Sequence, residues 1–380
     1  MNDFYRDREQ SQAKHEILRR YLTPFANKIL HAWPSIDFID GFAGPWENRD
    51  EDGFSDTSIG IALETLSRVA EQRGHSPNAP QIRCIFNEAS PPAFRRLEAF
   101  AERAVTQYPL VQIEIFRGEF EANAQRIKAS AKNAFQLLFV DPTGYTGFSP
   151  AALSVFSGRS TEIVVNFMRS FIVRFVSGNH RDREQALCGL IGRSRANKLL
   201  KGELSVEAIE MEYLLMLKED LAYKYRYGAF SPIHNPDRNE IHFLLAYATN
   251  HPDGMEAMRS AEFTALTEHD KNRFKRAVKS RGDDLFGDML DEMEVTGPYL
   301  KVRKRHLAHA AENIRAAISQ SARPMEFTAL AAEVQQSLYL KRSEIGDAIV
   351  ELSRQGVVKP TWRERQGRRP RADDLIVLCE

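Results

Sequence analysis

Short apolar runs alternate with segments of helical periodicity over the first 250 residues of the chain. The apolar runs are rich in β-branched and aromatic residues, and they cover residues 36–39, 82–86, 111–116, 135–140 and 162–167. The segments between them have helical spacing, at about 58–72, 91–107, 119–131 and 150–157. Strands that alternate with helices in this way predict a mostly parallel sheet with helices on both faces.

Two further strand-like runs follow, after helical segments at about 183–200 and 206–224. They cover residues 227–233 and 240–249, and Asn235-Pro236-Asp237 lies between them. A turn of this composition between two strand-like runs predicts a β-hairpin. A parallel five-stranded sheet closed by a hairpin is the layout of Rossmann-like methyltransferases, whereas the dehydrogenase sheet is wholly parallel. We therefore predict an α/β domain with a Rossmann-like methyltransferase fold over residues 1–252.

Acidic residues follow most of the predicted parallel strands. Asp40, Glu88, Glu119 and Asp141 stand at or just beyond the ends of the first four. Each also has an ordinary structural explanation as a turn former or a helix cap. Because the carboxyl ends of parallel strands share one edge of a sheet, their repetition predicts a ligand site at that edge.

The first strand leads into the glycine segment Asp40-Gly41-Phe42-Ala43-Gly44. Glycines at these positions can adopt positive φ or let a ligand approach the backbone closely. The full Gly-x-Gly-x-x-Gly is absent, and Glu88 lies farther along the chain than the spacing of about 20 residues usual for dinucleotides. Glu88 nevertheless ends the second strand, where doubly wound folds place the acid that binds the ribose hydroxyls. S-adenosylmethionine, which has no pyrophosphate, fits these features better than the alternative, NAD.

The candidate cofactor-binding residues are Lys14, His15, Asp40, Gly41, Phe42, Ala43, Gly44, Glu88, Glu119 and Phe120. We expect the glycine segment at the methionine end, Glu88 at the ribose, and Glu119 with Phe120 at the adenine. Lys14 and His15 stand at the front of a helix predicted over 13–30, where a cation would meet the methionyl carboxylate. A solvated helix start is the alternative for these two residues.

Composition bears on the number of domains, on possible partners and on the cellular compartment. The chain has 380 residues, enough for two or three domains, and its 52 basic and 52 acidic side chains neither require nor exclude a nucleic-acid partner. Cys84, Cys188 and Cys379 form no Cys-x-x-Cys pair, so no metal site is predicted and a reducing cytoplasm is favoured. No apolar run approaches the roughly 18 residues of a membrane span, and the polar start is unlike a signal peptide. We therefore expect a cytoplasmic protein without a membrane partner.

The last third of the chain divides into two parts. Residues 253–322 are predicted to form a helical connector, whose basic runs at 271–276 and 301–306 are typical of solvated faces. Residues 323–380 begin with short helices at 328–334 and 341–355, and Gly356 ends the second. Runs at 357–362 and 374–378 then predict a hairpin around a basic turn. This order of elements predicts a winged helix-turn-helix domain.

The basic turn supplies the candidate nucleic-acid-binding residues Arg365, Arg368, Arg369 and Arg371. In winged helices the second helix can enter a major groove, and arginines of the wing bind phosphates or the minor groove. The sequence leaves DNA and RNA equally open. Dimerisation and protein docking are the alternative functions of such a domain.

Three stretches and the terminal winged helix resemble the family of three-Cys-motif partner (TcmP) proteins. The stretches are Lys14-His15-x-Ile17-Leu18-x-x-Tyr21-Leu22, Ile39-Asp40-Gly41-Phe42-Ala43-Gly44 and Phe139-Val140-Asp141-Pro142-Thr143-Gly144-Tyr145. These proteins look like adenosylmethionine-dependent methyltransferases, named for a partner with three cysteines that is similar to radical-adenosylmethionine enzymes. The resemblance implies such a partner and a role in nucleic-acid modification or mobile-element biology. The three cysteines of this chain are not that motif.

The segment after the fourth strand carries the candidate catalytic residues Asp141, Pro142 and Tyr145. Amino-methyltransferases acting on bases commonly have Asp/Asn-Pro-Pro-aromatic there, which accepts hydrogen bonds from the target amino group and stacks on the base. Here Thr143 and Gly144 follow Asp141-Pro142, so Tyr145 stands one place late. Asp141 can still accept a hydrogen bond or a proton from an amine. N-methylation is the predicted reaction, and a non-catalytic scaffold or cofactor sensor is the alternative.

Overall fold

The computed structural model describes residues 9–44, 54–74, 80–131, 133–144, 146–177, 183–202, 204–280, 297–321, 323–360, 362 and 369–379. The chain forms two compact units. The first unit is Met1–Ile233 with Glu240–Asn250, and the second is His234–Asn239 with His251–Glu380. The three domains expected at 1–252, 253–322 and 323–380 stay a prediction.

The first unit is built on a seven-stranded sheet. Its strands are β1 (Ser35–Asp40), β2 (Gln81–Glu88), β3 (Val111–Arg117), β4 (Phe135–Val140), β5 (Thr161–Phe167), β6 (Tyr227–His234) and β7 (Ile241–Thr249). Their order is β3-β2-β1-β4-β5-β7-β6, with parallel pairing from β3 to β5 and β7 antiparallel to β5. The predicted α/β class with a mostly parallel sheet is therefore confirmed. The connection from β6 to β7 is too short for a parallel crossover, which makes this pair a hairpin.

Nine helices of the described residues accompany this sheet. They are α1 (Glu9–Ala32), α2 (Ser58–Arg73), α3 (Pro91–Gln107), α4 (Phe120–Ser130), α5 (Pro150–Phe156), α6 (Arg169–Ser177), α7 (Arg183–Ile191), α8 (Arg193–Lys201) and α9 (Val206–Leu215). The helical segment expected over 183–200 is present as two helices, α7 and α8, because Gly192 has a φ of 80° and separates them. The helix expected over 206–224 also ends early, in a π turn at Met216–Asp220. Helix α6 was not predicted.

The central strands are buried on both faces, which explains their continuous apolar runs. Every residue of β4 and β5 is buried, and so is Cys84 of β2. Glu162 of β5 is a buried carboxylate that accepts hydrogen bonds from Tyr21 of α1 and from Thr249 of β7, at 2.6 Å for the latter. These bonds compensate for burying the charge and attach α1 to the sheet.

The second unit is mostly helical and contains a small sheet. Its elements are α10 (Pro252–Ser280), α11 (Pro298–Gln320), β8 (Met325–Glu326), α12 (Phe327–Gln335), α13 (Arg342–Arg354) and β9 (Leu375–Ile376). Ile314 and Ile318 of α11 pack in one apolar cluster with residues of α12, α13 and β9. Gly356 follows the last turn of α13 with a φ of 75°, which confirms its predicted role in ending that helix.

The hairpin expected from 357–362 and 374–378 is only partly formed in the described residues. One bridge joins Val358 to Leu378, and the amide of Cys379 donates to the carbonyl of Val357 at 2.8 Å. The residues of β9 pair instead with β8, antiparallel, which was not expected. A two-residue strand carries too little periodicity to be recognised in a sequence. Among the described residues, no helix is both long enough and apolar enough to cross a membrane.

Candidate functional site

The strand order of the first unit reverses between β1 and β4. From β1 the chain proceeds outwards to β2 and β3, and it returns to place β4 and β5 on the other side. Crevices outside the carboxyl ends of strands at such a point are the usual ligand sites of open α/β sheets. Two cavities occur there, and both are lined by Phe42, Pro142 and Thr143.

The first of these, the Glu88 cavity, has a volume of about 640 Å³. Its lining includes Gly41, Phe42, Glu88, Glu119 and Phe120, so it brings together five residues predicted to bind a cofactor. A volume of this size lies in the range of small-molecule and cofactor sites. Residues at the ends of the first three strands therefore line one cavity, and their role in binding a cofactor stays a prediction.

Glu88 is the buried acid of this cavity. Burial raises the pKa of Glu88, and backbone N–H donors from Ser90, Ala89 and Gly44 oppose that rise. The N–H of Ser90 lies 2.5 Å from Oε1 of Glu88. A carboxylate offers about four acceptor positions, so three backbone donors leave capacity for a ligand hydroxyl. Glu88 therefore fits the role of a ribose-binding acid in its position and in its hydrogen-bonding capacity.

Gly41 is needed for packing rather than for an unusual backbone conformation. Its φ is not in the positive range, contrary to one of the two expectations from the sequence. A Cβ at Gly41 would lie 2.9 Å from the ring of Phe120. That ring is buried and packs against Phe42 and Phe156, with centroid separations of 5.7 and 5.6 Å. A side chain at position 41 would therefore displace the aromatic wall of the Glu88 cavity.

Asn87 holds the loops around this cavity in place. Its Nδ2 donates to the carbonyls of Gly41 and Gly118, at 3.1 and 3.0 Å, and its Oδ1 accepts from Asn123 at 2.8 Å. These bonds join the loops that follow β1 and β3. Asn87 was not predicted as a site residue, although a polar residue at the buried end of an apolar strand is a recognisable signal.

The second cavity, the Asp141 cavity, has a volume of about 440 Å³. Lys14 and His15 of α1 line it together with Asp141 and Asn166. Lys14 forms an ion pair with Asp141, and the two side chains are 8% and 16% exposed. Lys14 was expected to meet a cofactor carboxylate, but its partner in this structure is Asp141. The other carboxylate oxygen of Asp141 accepts from Nδ2 of Asn166 at 2.7 Å.

Asp40 and Ala43 are buried beneath the cavities and appear in neither lining. Oδ2 of Asp40 accepts from the hydroxyl of Ser58 at 2.5 Å, and Oδ1 accepts from the N–H of Phe42 at 2.9 Å. Burial raises the pKa of Asp40 to about 7, and these two donors oppose the rise. Asp40 thus orients the segment that carries Phe42, which lines both cavities. Gly44 lines the Asp141 cavity.

Three predicted site residues, Tyr145, Arg365 and Arg368, lie outside the described residues. Of the two other candidate nucleic-acid contacts, Arg369 is held by Asp347 of α13 through hydrogen bonds of 2.5 and 2.7 Å. Arg371 is exposed. Arg369 is therefore already neutralised by a carboxylate within the second unit.

A basic surface of the second unit lies on α11. Four cations at helical spacing, Lys301, Lys304, Arg305 and Arg315, are exposed on one face that also carries the exposed Glu312, while the opposite face of the helix packs in the core. From the first to the last, this face is about 21 Å long at 1.5 Å per residue. We call these four residues the α11 basic face. Its run at 301–306 was expected to be a solvated face.

A scan of the chain against models of protein families found no match, and neither did a search of curated protein sequences. In the part of the chain that the structure describes, no group of three His, Cys, Asp or Glu side chains is placed to hold a metal ion. The two cavities and the side chains that line them are therefore the features of this protein that bear on its function.

Proposed function

We propose that the first unit binds S-adenosylmethionine in the Glu88 cavity and transfers its methyl group to a nitrogen held in the Asp141 cavity. The observation that supports this most is the pair of adjoining cavities at the reversal of the strand order, with buried Glu88 in one lining and half-buried Asp141 in the other. Phe42, Pro142 and Thr143 belong to both linings, so two ligands can meet there. A transfer between two bound molecules needs such an arrangement.

The sheet supports the same proposal. Five parallel strands are followed by antiparallel β7 and the edge strand β6. This is the layout of Rossmann-like methyltransferases, and the resemblance of three segments to the TcmP family implies the same fold. We further propose that the protein works beside a three-Cys-motif partner of the kind that this resemblance implies.

S-adenosylmethionine would supply an electrophilic methyl group on its sulfonium. Transfer of this methyl group to nitrogen would form a nitrogen–carbon bond, leave the electron pair of the carbon–sulfur bond on sulfur and release one proton. Glu88 would accept a hydrogen bond from a ribose hydroxyl, and Phe120 and Glu119 would stand beside the adenine. Asp141 would accept a hydrogen bond from the reacting amine and then its proton. Lys14 compensates the charge of Asp141 and so keeps that carboxylate in a buried site.

Calorimetric titration with S-adenosylmethionine and S-adenosylhomocysteine tests the cofactor. We expect both to bind the folded full-length protein, with a 1:1 ratio, and NAD to give no heat. Absence of heat from both adenosyl ligands, in protein with a cooperative thermal unfolding transition, would contradict the proposal. Binding of NAD instead would favour the dehydrogenase-like alternative.

For the second unit we propose a winged helix that binds nucleic acid through the α11 basic face. The order α11, β8, α12, α13 and β9 matches a winged helix with its small sheet. Exposed positions of α13 include Asp347 and Glu351, which do not suit a helix in a major groove. Phosphate contacts from α11 fit the charges better, because exposed cations attract the nucleic-acid backbone.

Replacing the α11 basic face by glutamines (Lys301, Lys304, Arg305 and Arg315 together) should weaken binding to duplex DNA or RNA and reduce its salt dependence. Each lost phosphate contact lowers the slope of log affinity against log salt by about 0.9, so a decrease of about 3 to 4 is expected. Filter binding over a salt series measures it. Arg369→Gln, which removes a cation already bound by Asp347, is the matched control and should change little. Salt-insensitive binding of the unsubstituted protein would point to protein docking instead.

A further inference from the structure

An amine of the chain itself already stands where the acceptor nitrogen is proposed to lie. The ammonium of Lys14 donates to Oδ2 of Asp141, and the other oxygen of that carboxylate accepts from Asn166. Asp141 is the group assigned to hold and deprotonate the reacting amine. Among the described residues that line the two cavities, Lys14 is the only lysine. The Asp141 cavity therefore contains one primary amine before any substrate enters it.

The helix that carries Lys14 is attached to the sheet, so this amine is held in place. Tyr21, about two turns farther along α1, donates to buried Glu162 of β5, and its hydroxyl lies 2.9 Å from that of Tyr247 in β7. The side chain of Lys14 is 8% exposed, and its Nζ lies 5.5 Å from the centroid of the Phe243 ring. An amine that is already held beside its proton acceptor has the rate advantage of an intramolecular reaction.

The walls around this amine leave room for a methyl group. The cavity has a volume of about 440 Å³, and Phe42, Met168 and Phe243 belong to its lining. A methylated lysine keeps its positive charge, so its ion pair with Asp141 and its attraction to an aromatic ring both remain. Each methyl group replaces one of the three N–H donors of the ammonium, so one or two methyl groups leave a donor for Asp141, whereas a third removes the hydrogen bond.

The burial of Lys14 also indicates which methyl donor can reach it. Lys28 lies on the same helix and is exposed, so an enzyme acting from solution reaches Lys28 in preference to Lys14. The buried side chain of Lys14 does not enter the active site of a second enzyme while the protein is folded. Modification of Lys14 without Lys28 is therefore the signature of transfer within the chain.

We propose that Lys14 is itself a methyl acceptor, modified from S-adenosylmethionine bound to the same chain. This inference rests on the proposed methyl transfer and adds to it an acceptor that the chain supplies. One proton passes from the ammonium of Lys14 to Asp141, and the lone pair of Nζ forms the bond to the methyl carbon. The electron pair of the broken carbon–sulfur bond stays on sulfur, and Asp141 releases its proton to water. The product is a methylammonium that keeps the positive charge of Lys14.

The test uses folded full-length protein and S-adenosylmethionine with a trideuterated methyl group, in the absence of any other acceptor. We expect a mass increase of about 17 Da per transferred methyl group, located at Lys14 by peptide mapping. Because the transfer is intramolecular, its first-order rate constant should change by less than about 2-fold over about a 10-fold range of protein concentration. Lys14→Arg should lose the label, while Lys28→Arg, the matched control on the same helix, should keep it. An undeuterated methyl group on Lys14 of the isolated protein, absent from Asp141→Ala, would have the same meaning.

A second measurement requires no transfer from the cofactor. Formaldehyde with dimethylamine–borane methylates accessible lysines, and peptide mapping follows Lys14 and Lys28 separately. Because the two cavities share Phe42, Pro142 and Thr143, a ligand in the Glu88 cavity obstructs the approach to Lys14. S-adenosylhomocysteine should therefore slow the chemical methylation of Lys14 by about 3-fold or more and leave that of Lys28 unchanged.

Three results of the labelling experiment would overturn the inference: label on another lysine but not on Lys14, a rate constant that rises in proportion to protein concentration, or no methyl group of either kind on Lys14 while S-adenosylhomocysteine binds. Chemical methylation of Lys14 at the same rate with and without bound S-adenosylhomocysteine would also overturn it. The unsubstituted protein decides each of these outcomes, even where a variant fails to fold. Failure of S-adenosylhomocysteine to bind in calorimetry contradicts the proposed function itself, which separates the two failures.

Discussion

Asp141→Ala is expected to lower the rate of methyl transfer by at least about 100-fold, while the affinity for S-adenosylhomocysteine changes by less than about 3-fold. A positioned group that takes up a proton in the transition state contributes factors of about 10² to 10⁴. Asp141 lies in the lining of the cavity assigned to the acceptor and not in that of the Glu88 cavity. Its loss should therefore affect chemistry and leave the cofactor in place. Single-turnover transfer of labelled methyl, with calorimetry on the same protein, measures both quantities.

The substitution also leaves the buried ammonium of Lys14 without its counter-ion, and a control must remove that effect. Breaking one partner of a buried pair typically costs about 3–5 kcal/mol of stability. The double variant Lys14→Met/Asp141→Ala removes both charges and should recover most of the lost thermal stability, yet it should stay inactive. Restored activity in the double variant would mean that Asp141 serves only as the counter-ion of Lys14.

Two other outcomes have distinct meanings. Loss of cofactor binding together with activity in Asp141→Ala would indicate a structural role for this residue. Absence of methyl transfer by the unsubstituted protein to any nucleic acid or protein, with cofactor binding intact, would favour the non-catalytic scaffold or sensor. The ion pair with Lys14 is compatible with either class, because it stabilises the site whether or not a substrate enters it.

The strands of the first unit were predictable because burial on both faces leaves a simple signal. β4 is apolar except for Gln136 and ends at Val140, just before Asp141, and its bounds agree with the expectation. The same rule identified the acids at the strand ends, including Glu88. This rule uses only the local sequence, because a buried parallel strand is apolar where it crosses the core and polar residues follow where the chain leaves the core.

What the sequence could not supply was the pairing between distant side chains. Lys14 and Asp141 are 127 positions apart, and only the packing of α1 beside β4 brings them together. Asn166 was visible as a polar residue in an apolar strand, but its orientation follows from Asp141, which is a tertiary fact. Gly41 shows a third limit of the sequence. A glycine that is required because the ring of Phe120 packs against it cannot be distinguished, in a sequence, from a glycine that lets a ligand approach the backbone.

The second unit shows where local patterns were insufficient. The short strand β8 pairs with β9 through two residues, and α11 contributes Ile314 and Ile318 to the same core as α13. Neither the pairing of β8 with β9 nor the packing of α11 against α13 produces a periodic pattern of apolar residues in the sequence. The basic turn was the visible charge feature, whereas one of its arginines, Arg369, is bound by Asp347. Arg369 is as exposed as the α11 basic face, and what distinguishes it is the ion pair with Asp347, which is a property of the fold.

Glu88→Ala is expected to weaken the binding of S-adenosylmethionine and S-adenosylhomocysteine by about 100-fold. A hydrogen bond to a charged group contributes about 1.5–3 kcal/mol, and a ribose hydroxyl would donate to the acceptor position of this carboxylate that its three backbone donors leave open. A loss of about 3 kcal/mol corresponds to roughly a factor of 100 in the dissociation constant. Calorimetric titration of the full-length variant gives that constant directly.

Two matched variants separate ribose binding from an effect on the loop. Glu88→Gln keeps an acceptor for the N–H of Ser90 and so preserves the loop, but it loses the charge, and we expect about a 10-fold decrease in affinity. Glu119→Ala removes an exposed carboxylate from the lining of the same cavity and should cost less than about 3-fold. Because the ribose is common to both adenosyl ligands, the two must weaken in parallel. Equal affinities in Glu88→Gln and the unsubstituted protein would contradict the assignment of Glu88 to the ribose, and a larger loss in Glu119→Ala than in Glu88→Ala would transfer that role to Glu119.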